Sequence, residues 1–386
     1  GRRQLGVASC KNPQERLGAD VVSRLDASLA GRGGELRICI TACIAELARR
    51  LCRQAGRPVT DIGGAVITGN TAMLYLLRGL DVHDIALAPF QARYRFGEYV
   101  PASELGLPWG ADCRVYLPPC ISAYVGADIT CGLLACGALQ ADGPALLADV
   151  GTNGEMALGG AEGFSCCAVA SGPAFEGAGI ACGMPALDGA VSRVRYDRGF
   201  LYDVIGASEP RGICGSGLVD LTAALLDLGA IDKSGRLLPP EETPPSLRRF
   251  VRPDGRGNGV FHLTDRVYLT AEDVRSLQLA KAAVAGGIEV LLRQRDMDAA
   301  ALDGVYIAGG FGSYIDPDSA MAIGMLPQLP RSKLRCLGNT ALAGASMAAL
   351  DGEERRRLGR IAANCRYIEL SGRQDFARAF TDHMVF

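Results

Sequence analysis

The sequence predicts an α/β protein of two lobes built on one repeated plan, and three observations carry that expectation. At 386 residues the chain exceeds the size at which a single hydrophobic core stops growing, so two compact bodies are expected. Runs of apolar, β-branched residues alternate with stretches of helical periodicity, the pattern of strands laid between helices. A strand that runs into a glycine turn and then a helix occurs twice, near Val66 and near Tyr306, which makes one lobe echo the other.

Taken in order, "RICITACIAELARRLCRQAG" has helical spacing and stops at Gly56. "DIGGAVITGN" then predicts a strand over Ala65 to Thr68 that ends in Gly69 and Asn70, and "TAMLYLLRGL" resumes as a helix. "LLADVGTNGEMALGG", Leu146 to Gly160, reads as strand, turn, strand, with Asp149, Thr152 and Asn153 crowded around the turn. "AEDVRSLQLAKAAVAGGIEVLLRQ" is a long helix with acidic residues in its first turn, where the helix dipole favours them. "LDGVYIAGGFGSYID" repeats the strand, glycine turn and helix, and "LGNTALAGASMAALDG" is a helix of small residues that can pack very closely on a neighbour.

The expected divisions are residues 1–140 for a first lobe, 141–336 for a second, and 337–386 for a helix and tail packing back on both. If the plan is duplicated, each lobe should open with a strand, a polar turn and a strand. The first opens instead at "GRRQLGVASCKNPQ", which corresponds to the later "EGFSCCAVASGPA". A first lobe without its leading strands, and a chain that is a fragment of a longer protein, are the expectations.

Composition narrows the function classes. With 48% hydrophobic and 21% charged residues and a net charge of -2, the chain offers no general attraction for nucleic acid or an anionic membrane. The sequence contains no uninterrupted apolar segment of membrane-spanning length and no signal peptide at its start, and a cytoplasmic location is expected. The 14 cysteines are spread through the chain without any C-x-x-C pair, so neither a zinc nor a ferredoxin spacing is present. Most read as buried thiols. Cys39 and Cys43, one helical turn apart, and the adjacent Cys166 and Cys167 are the two pairs with redox potential. Three separated histidines, His83, His262 and His383, give little support to a histidine metal site or a Ser/His/Asp triad.

The turn after Leu146 carries chemistry of its own. In a Gly-Thr-Asn-Gly turn, backbone N–H groups and the Thr152 hydroxyl can hold phosphate oxygens, because glycine permits close approach. Asp149 at the strand end can hold Mg²⁺ through water, since magnesium prefers oxygen ligands and keeps much of its hydration. "AGGFG", Ala308 to Gly312, lets a nucleotide lie against the backbone, so two distant glycine turns point to one nucleotide cleft.

"DVGTNGE", "YIAGGFGSYID" and "LGNTALAGA" resemble, in that order, the second phosphate loop, the adenosine loop and the second connecting helix of the actin, sugar kinase and heat-shock chaperone ATPase superfamily. "YVGADITCGLLACG" resembles its first connecting helix. More narrowly, "NPQERLGADVVSRL", "ITGNTAMLYLL", "YLPPCISAYVGADI", "SGPAFEGAGIACGMPALDGAV", "GICGSGLVDL", "LQLAKAAVAGGI" and "YIELSGRQDFARAF" resemble the ATPase domain of the reductive activators of corrinoid-dependent methyltransferases. The resemblance implies a duplicated ribonuclease H-like fold with a nucleotide cleft. It also implies an ATP-dependent reductive activase that returns an inactive Co(II) corrinoid protein to Co(I).

Carried onto this chain, the resemblance makes Asp149 the magnesium and phosphate residue, with Gly151, Thr152 and Asn153 around the phosphates and Glu155 behind them. Gly309, Gly310, Phe311 and Gly312 would line the adenosine, and Asp128 would orient the attacking water. Gly172, Glu176, Gly215 and Ser216 read as further cleft turns, and Gln278 and Lys281, on one helix face, would reach the nucleotide. The implied cofactors are ATP and Mg²⁺, with a [2Fe–2S] cluster only in the full-length protein. The implied partners are a corrinoid protein of a methyltransferase system and an electron donor acting through a ferredoxin-like domain, with a homodimer left open. The family's D-x-G-T-T first phosphate loop does not occur in these residues. Three other readings stand beside this one: an activator of 2-hydroxyacyl-CoA dehydratases, a small-molecule kinase of the same superfamily, and a nucleotide-gated docking module without turnover.

Overall fold

The computed structural model describes residues 3–312 and 314–386. The chain forms two compact units. One comprises the chain up to Gln140 with Ala161–Phe164 and Thr340–Tyr367; the other comprises Ala141–Gly160, Ser165–Asn339 and Ile368–Phe386.

In the first unit, Asp20 caps the helix Val21–Ala27 by accepting the Ser23 N–H, and the Ser23 hydroxyl returns the bond to the Asp20 backbone. The long helix Gly33–Ala55 ends at Gly56, as its spacing predicts. The strand expected over Ala65 to Thr68 forms at Gly64–Val66, parallel to Arg114–Leu117, which pairs antiparallel with Glu98–Pro101. One further bond, from Ile67 N–H to the Tyr116 carbonyl, carries the extended chain toward Asn70. There the Asn70 side chain caps the helix Thr71–Arg78 through the Met73 N–H. Leu74, Leu77, Leu105, Val115 and Leu117 are buried in one cluster, each contributing about 1.5–3 kcal/mol on folding.

The small-residue helix Thr340–Leu350 packs on the helix Ala127–Ala135 in the same unit. At Gly344 a Cβ would lie 2.0 Å from the Cys131 carbonyl oxygen, so only glycine lets the two backbones meet. The close packing expected of "NTALAGASMAAL" is what forms.

The second unit is built around a sheet ordered Leu334–Gly338, Gly304–Ala308, Ala145–Val150, Gly154–Gly160 and the part of the next strand from Ser165 to Val169. The first three run parallel, and Gly154–Gly160 turns back antiparallel on Ala145–Val150. The helix Ala271–Gln294 begins at a Thr270/Asp273 capping box and buries Val274, Leu277, Val284, Ile288 and Leu291. Two smaller sheets complete the unit. One orders Phe200–Val204, Ala190–Tyr196 and Gly212–Ile213; the other orders Val251–Pro253, Gly259–His262 and Tyr268–Leu269. The helix Gly215–Asp227 packs on Ala190–Tyr196.

Among the described residues no helix is long and apolar enough to cross a membrane. The cysteines are free thiols, with Cys10 and Cys336 exposed and Cys39, Cys113, Cys120, Cys131, Cys166, Cys167 and Cys214 buried. The expected Cys39/Cys43 pair does not form: the Cys43 thiol lies 3.0 Å from Cys10, while the Cys39 sulfur accepts from the Arg16 guanidinium at 2.8 Å. Cys166 and Cys167 are successive strand residues, whose side chains leave opposite faces of a sheet.

Candidate functional site

Asp149 stands one residue from the C-terminal end of Ala145–Val150 and lies opposite Ala308 in the parallel ladder. The two glycine turns therefore leave the same edge of the second unit's sheet from adjacent strands, the edge at which open α/β sheets bind ligands. Gly309 follows at a φ of +89°, and a Cβ there would lie 2.5 Å from Asp149 Oδ1 and 2.8 Å from the Val150 carbonyl. The missing side chain is what allows the turn to pass over the aspartate. Gly310 is exposed beside open space. Phe311 and Gly312 close the helical turn Gly309–Gly312, and their surroundings fall outside the described residues.

The turn after Asp149 is held by its own backbone and by the segment Ser171 to Glu176. Gly151 N–H donates to the Asn153 carbonyl at 3.1 Å, and Gly172 N–H donates to the Thr152 carbonyl at 3.0 Å. The Ser171 hydroxyl donates to the Gly151 carbonyl at 2.8 Å. The Glu176 carboxylate accepts the Thr152 N–H at 3.1 Å. Glu155 lies directly opposite Asp149 across the antiparallel ladder. Asp149 thus pairs with Glu155, Gly151, Thr152 and Asn153 are tied to one another, to Gly172 and to Glu176 by hydrogen bonds, and Gly309 lies against Asp149.

The remaining expected residues take other places. Gly215 abuts the Phe175 carbonyl, next to Glu176, whereas the buried Ser216 hydroxyl donates to the Ser192 carbonyl at 2.8 Å and ties its helix to the strand Ala190–Tyr196. Gln278 and Lys281 share a helix face, but their donors go to the C-terminal segment. Gln278 Nε2 donates to the Ser234 and Met384 carbonyls at 2.9 and 2.8 Å, and Lys281 Nζ donates to the Val385 carbonyl beside the Phe386 ring. Burial pushes the Lys281 ammonium down to about 8. Asp128 belongs to the first unit, in the first turn of Ala127–Ala135. Its carboxylate accepts the Ile129 N–H at 2.9 Å, its own N–H donates to the Gly69 carbonyl at 3.3 Å, and burial raises its carboxyl to about 6.

Two bracing residues escape a reading of the sequence alone. Arg193 Nη1 donates to the Tyr314 carbonyl at 3.3 Å, behind the Gly309–Gly312 turn and 121 residues away in the chain. Ser171 sits inside the quoted "SGPAFEG", but its bond to Gly151 has no local signature. Among the described residues no group of three or more His, Cys, Asp or Glu side chains is placed to hold a metal. A magnesium ion bound through one carboxylate and water needs no such group.

A parallel sheet ending in two adjacent glycine turns, one carrying an aspartate, defines an actin-like ATPase domain of the ASKHA class. Residues 143–386 match the model of the C-terminal domain of RACo, the ASKHA domain, and residues 1–141 match that of the RACo middle region. The chain belongs to this RACo family. It is 33% identical over 397 residues to the corrinoid activation enzyme RamQ of Eubacterium limosum, covering 99% of this chain and 66% of that protein. It is 27% identical over 340 residues to the [Co(II) methylated amine-specific corrinoid protein] reductase of Methanosarcina barkeri, covering 80% of this chain and 59% of the other. A solved reductive activator for corrinoid,iron-sulfur protein superposes with a TM-score of 0.87 at 35% identity, over 100% of this chain and 62% of that one. The chain therefore spans roughly three-fifths to two-thirds of the length of these relatives.

Proposed function

We propose that this chain is the nucleotide-responsive part of a reductive activator that returns a corrinoid protein from Co(II) to Co(I). The observation that carries the reading is the Asp149–Gly309 contact, where two turns far apart in sequence meet at one sheet edge. The kinship with proteins named as corrinoid activators supplies the substrate class.

The residues present fit Mg²⁺ and ATP. Asp149 would hold the cation through water, and the Gly151–Asn153 turn would hold phosphate oxygens, through the Thr152 hydroxyl and through the Thr152 N–H in place of Glu176. Gly309, Gly310, Phe311 and Gly312 would receive the adenosine, since a Cβ at Gly309 would fill the space beside Asp149. Bound ATP supplies a transferable phosphoryl group. Ser171 and Gly172 keep the turn's carbonyls engaged and so fix its shape before any ligand arrives, which is the preorganisation that phosphoryl transfer depends on. Asp128 orients water, its carboxylate held by the Ile129 N–H. An activator acts by favouring one conformation over another, and a ligand shifts such an equilibrium only through unequal affinity for the two states. The electron enters through an iron–sulfur domain of the whole protein, and the corrinoid protein is the partner that receives it.

The test follows Co(II) loss by absorbance in a mixture of whole activator, corrinoid protein and reductant, with and without ATP. Asp149→Ala should abolish the ATP-dependent phase and weaken ATP binding at least about tenfold, the loss expected when a contact worth about 1.4 kcal/mol goes. Cobalt reduction indifferent to both ATP and this substitution would overturn the proposal. ATP binding and corrinoid-protein docking without turnover would select the docking module instead.

A further inference from the structure

The first unit carries a thiol pair that the nucleotide site does not use. Cys43 sits in the middle of the helix Gly33–Ala55, and Cys10 on the irregular segment that crosses that helix. Their sulfur atoms lie 3.0 Å apart, although the residues are 33 positions apart in the chain. Cys10 is exposed and Cys43 half-buried, so one member is open to solvent and the other is shielded behind it.

The surroundings favour an anionic reagent. Cys10, Cys39 and Cys43 line a surface depression of about 400 Å³ together with Lys11, Arg16, Arg50 and Glu46. Glu46 is already paired with Arg49 and Arg53, and Lys11 with Glu15. Arg16 and Arg50 add further positive charge to the wall. The third thiol is set apart from the pair: Cys39 is 6% exposed and its sulfur is held by Arg16.

We infer that Cys10 and Cys43 are a modification site that closes to an intramolecular disulfide when a small, carboxylate-bearing disulfide enters this depression. The step balances in two exchanges. The Cys10 thiolate attacks one sulfur of the reagent, forming a mixed disulfide and releasing one thiolate. Cys43 then loses its proton to solvent and attacks the Cys10 sulfur, forming the Cys10–Cys43 bond and releasing the second thiolate. The two electrons leave the protein thiols for the reagent, which ends as two thiols. Burial, and then the hydrogen bond to Cys10, push the Cys43 thiol up to about 11, so the exposed Cys10 is the first to attack the reagent and the second exchange is the slow one. Closure ties the segment before Lys11 to the helix. In that segment Leu5 and Gly6 line a groove with Leu51, Cys52 and Trp109.

The experiment treats the chain with glutathione disulfide, alkylates the remaining thiols, and maps peptides without reduction. The expected product joins the tryptic peptide Gln4–Lys11 to Ile38–Arg49, with two thiols fewer out of 14 and full recovery on adding dithiothreitol. Cys39 shares the second peptide with Cys43, so Cys39→Ser is the control and should form the cross-link at the wild-type rate. Cys43→Ser should stop at a glutathione adduct on Cys10, and Cys10→Ser should leave Cys43 alkylatable. A wild-type chain that stops at the glutathione adduct, a bond from Cys10 to Cys39, or no loss of thiols at these positions would each overturn the inference.

Discussion

Gly309 and Asp149 touch through an absence: no side chain at the first leaves room for the carboxylate of the second. Gly309→Ala would place a methyl group 2.5 Å from Asp149 Oδ1 at a backbone φ of +89°, a conformation costing a non-glycine residue about 1–3 kcal/mol. Calorimetry should show a lowered Tm together with loss of ATP binding, whereas Gly310→Ala, beside open space, should change the Tm little. Asp128 gives a second test at this scale. Burial raises its carboxyl from 3.8 to about 6, so between these values the folded chain holds a proton that the unfolded chain has released. The stability this confers is fully present below 3.8 and is lost as the pH rises through about 6. Asp220 is raised into the same range by burial, so the measure is the difference between wild type and Asp128→Asn in denaturant titrations across that window. If Asp128 orients water as a carboxylate, hydrolysis by the whole activator should also fall below pH about 6 in wild type, and Asp128→Asn should be slow throughout.

At the scale of elements, the pairing of Thr340–Leu350 with Ala127–Ala135 rests on the contact between Gly344 and the Cys131 carbonyl. Gly344→Val would force the helices apart and should destabilise the chain by about 1–3 kcal/mol or more, read as an earlier midpoint in urea. Close packing by this helix, though not its partner, was legible in the sequence because small residues at helical spacing have few uses other than close approach. The helix ending at Gly56 and the long Ala271–Gln294 helix were legible for a similar reason, since cap and period agree. The strand near Val66 was legible in kind but not in extent. A bond from Ile67 to the Tyr116 carbonyl extends it before Asn70 takes over as a cap, and propensity does not register which strand residues find a partner. The thiols show the same limit. Helical spacing grouped Cys39 with Cys43, whereas the fold brings Cys10 across to Cys43 and gives Cys39 to Arg16.

For the whole molecule, the order of the motifs identified the architecture, because the strand, glycine turn and helix recur in the two halves. Local pattern could not show how the two glycine turns are braced. The bonds from Ser171 and Gly172, the Glu176 carboxylate and Arg193 behind Tyr314 all span long stretches of chain, and each partner looks ordinary where it stands. Nor could a shared helix face reveal that Gln278 and Lys281 seat the chain's last residues. Asp149 and Glu155 face each other across the ladder, and Glu176 caps the neighbouring Thr152. A bare triphosphate would have to displace the Glu176 carboxylate from the Thr152 N–H, and a cation arriving first or together with it should ease that exchange. Titrations with ATP in chelator should show almost no uptake, prior saturation with magnesium should restore it, and Glu176→Gln should relax the requirement. Equal uptake with and without magnesium would show that the acidic rim does not govern entry.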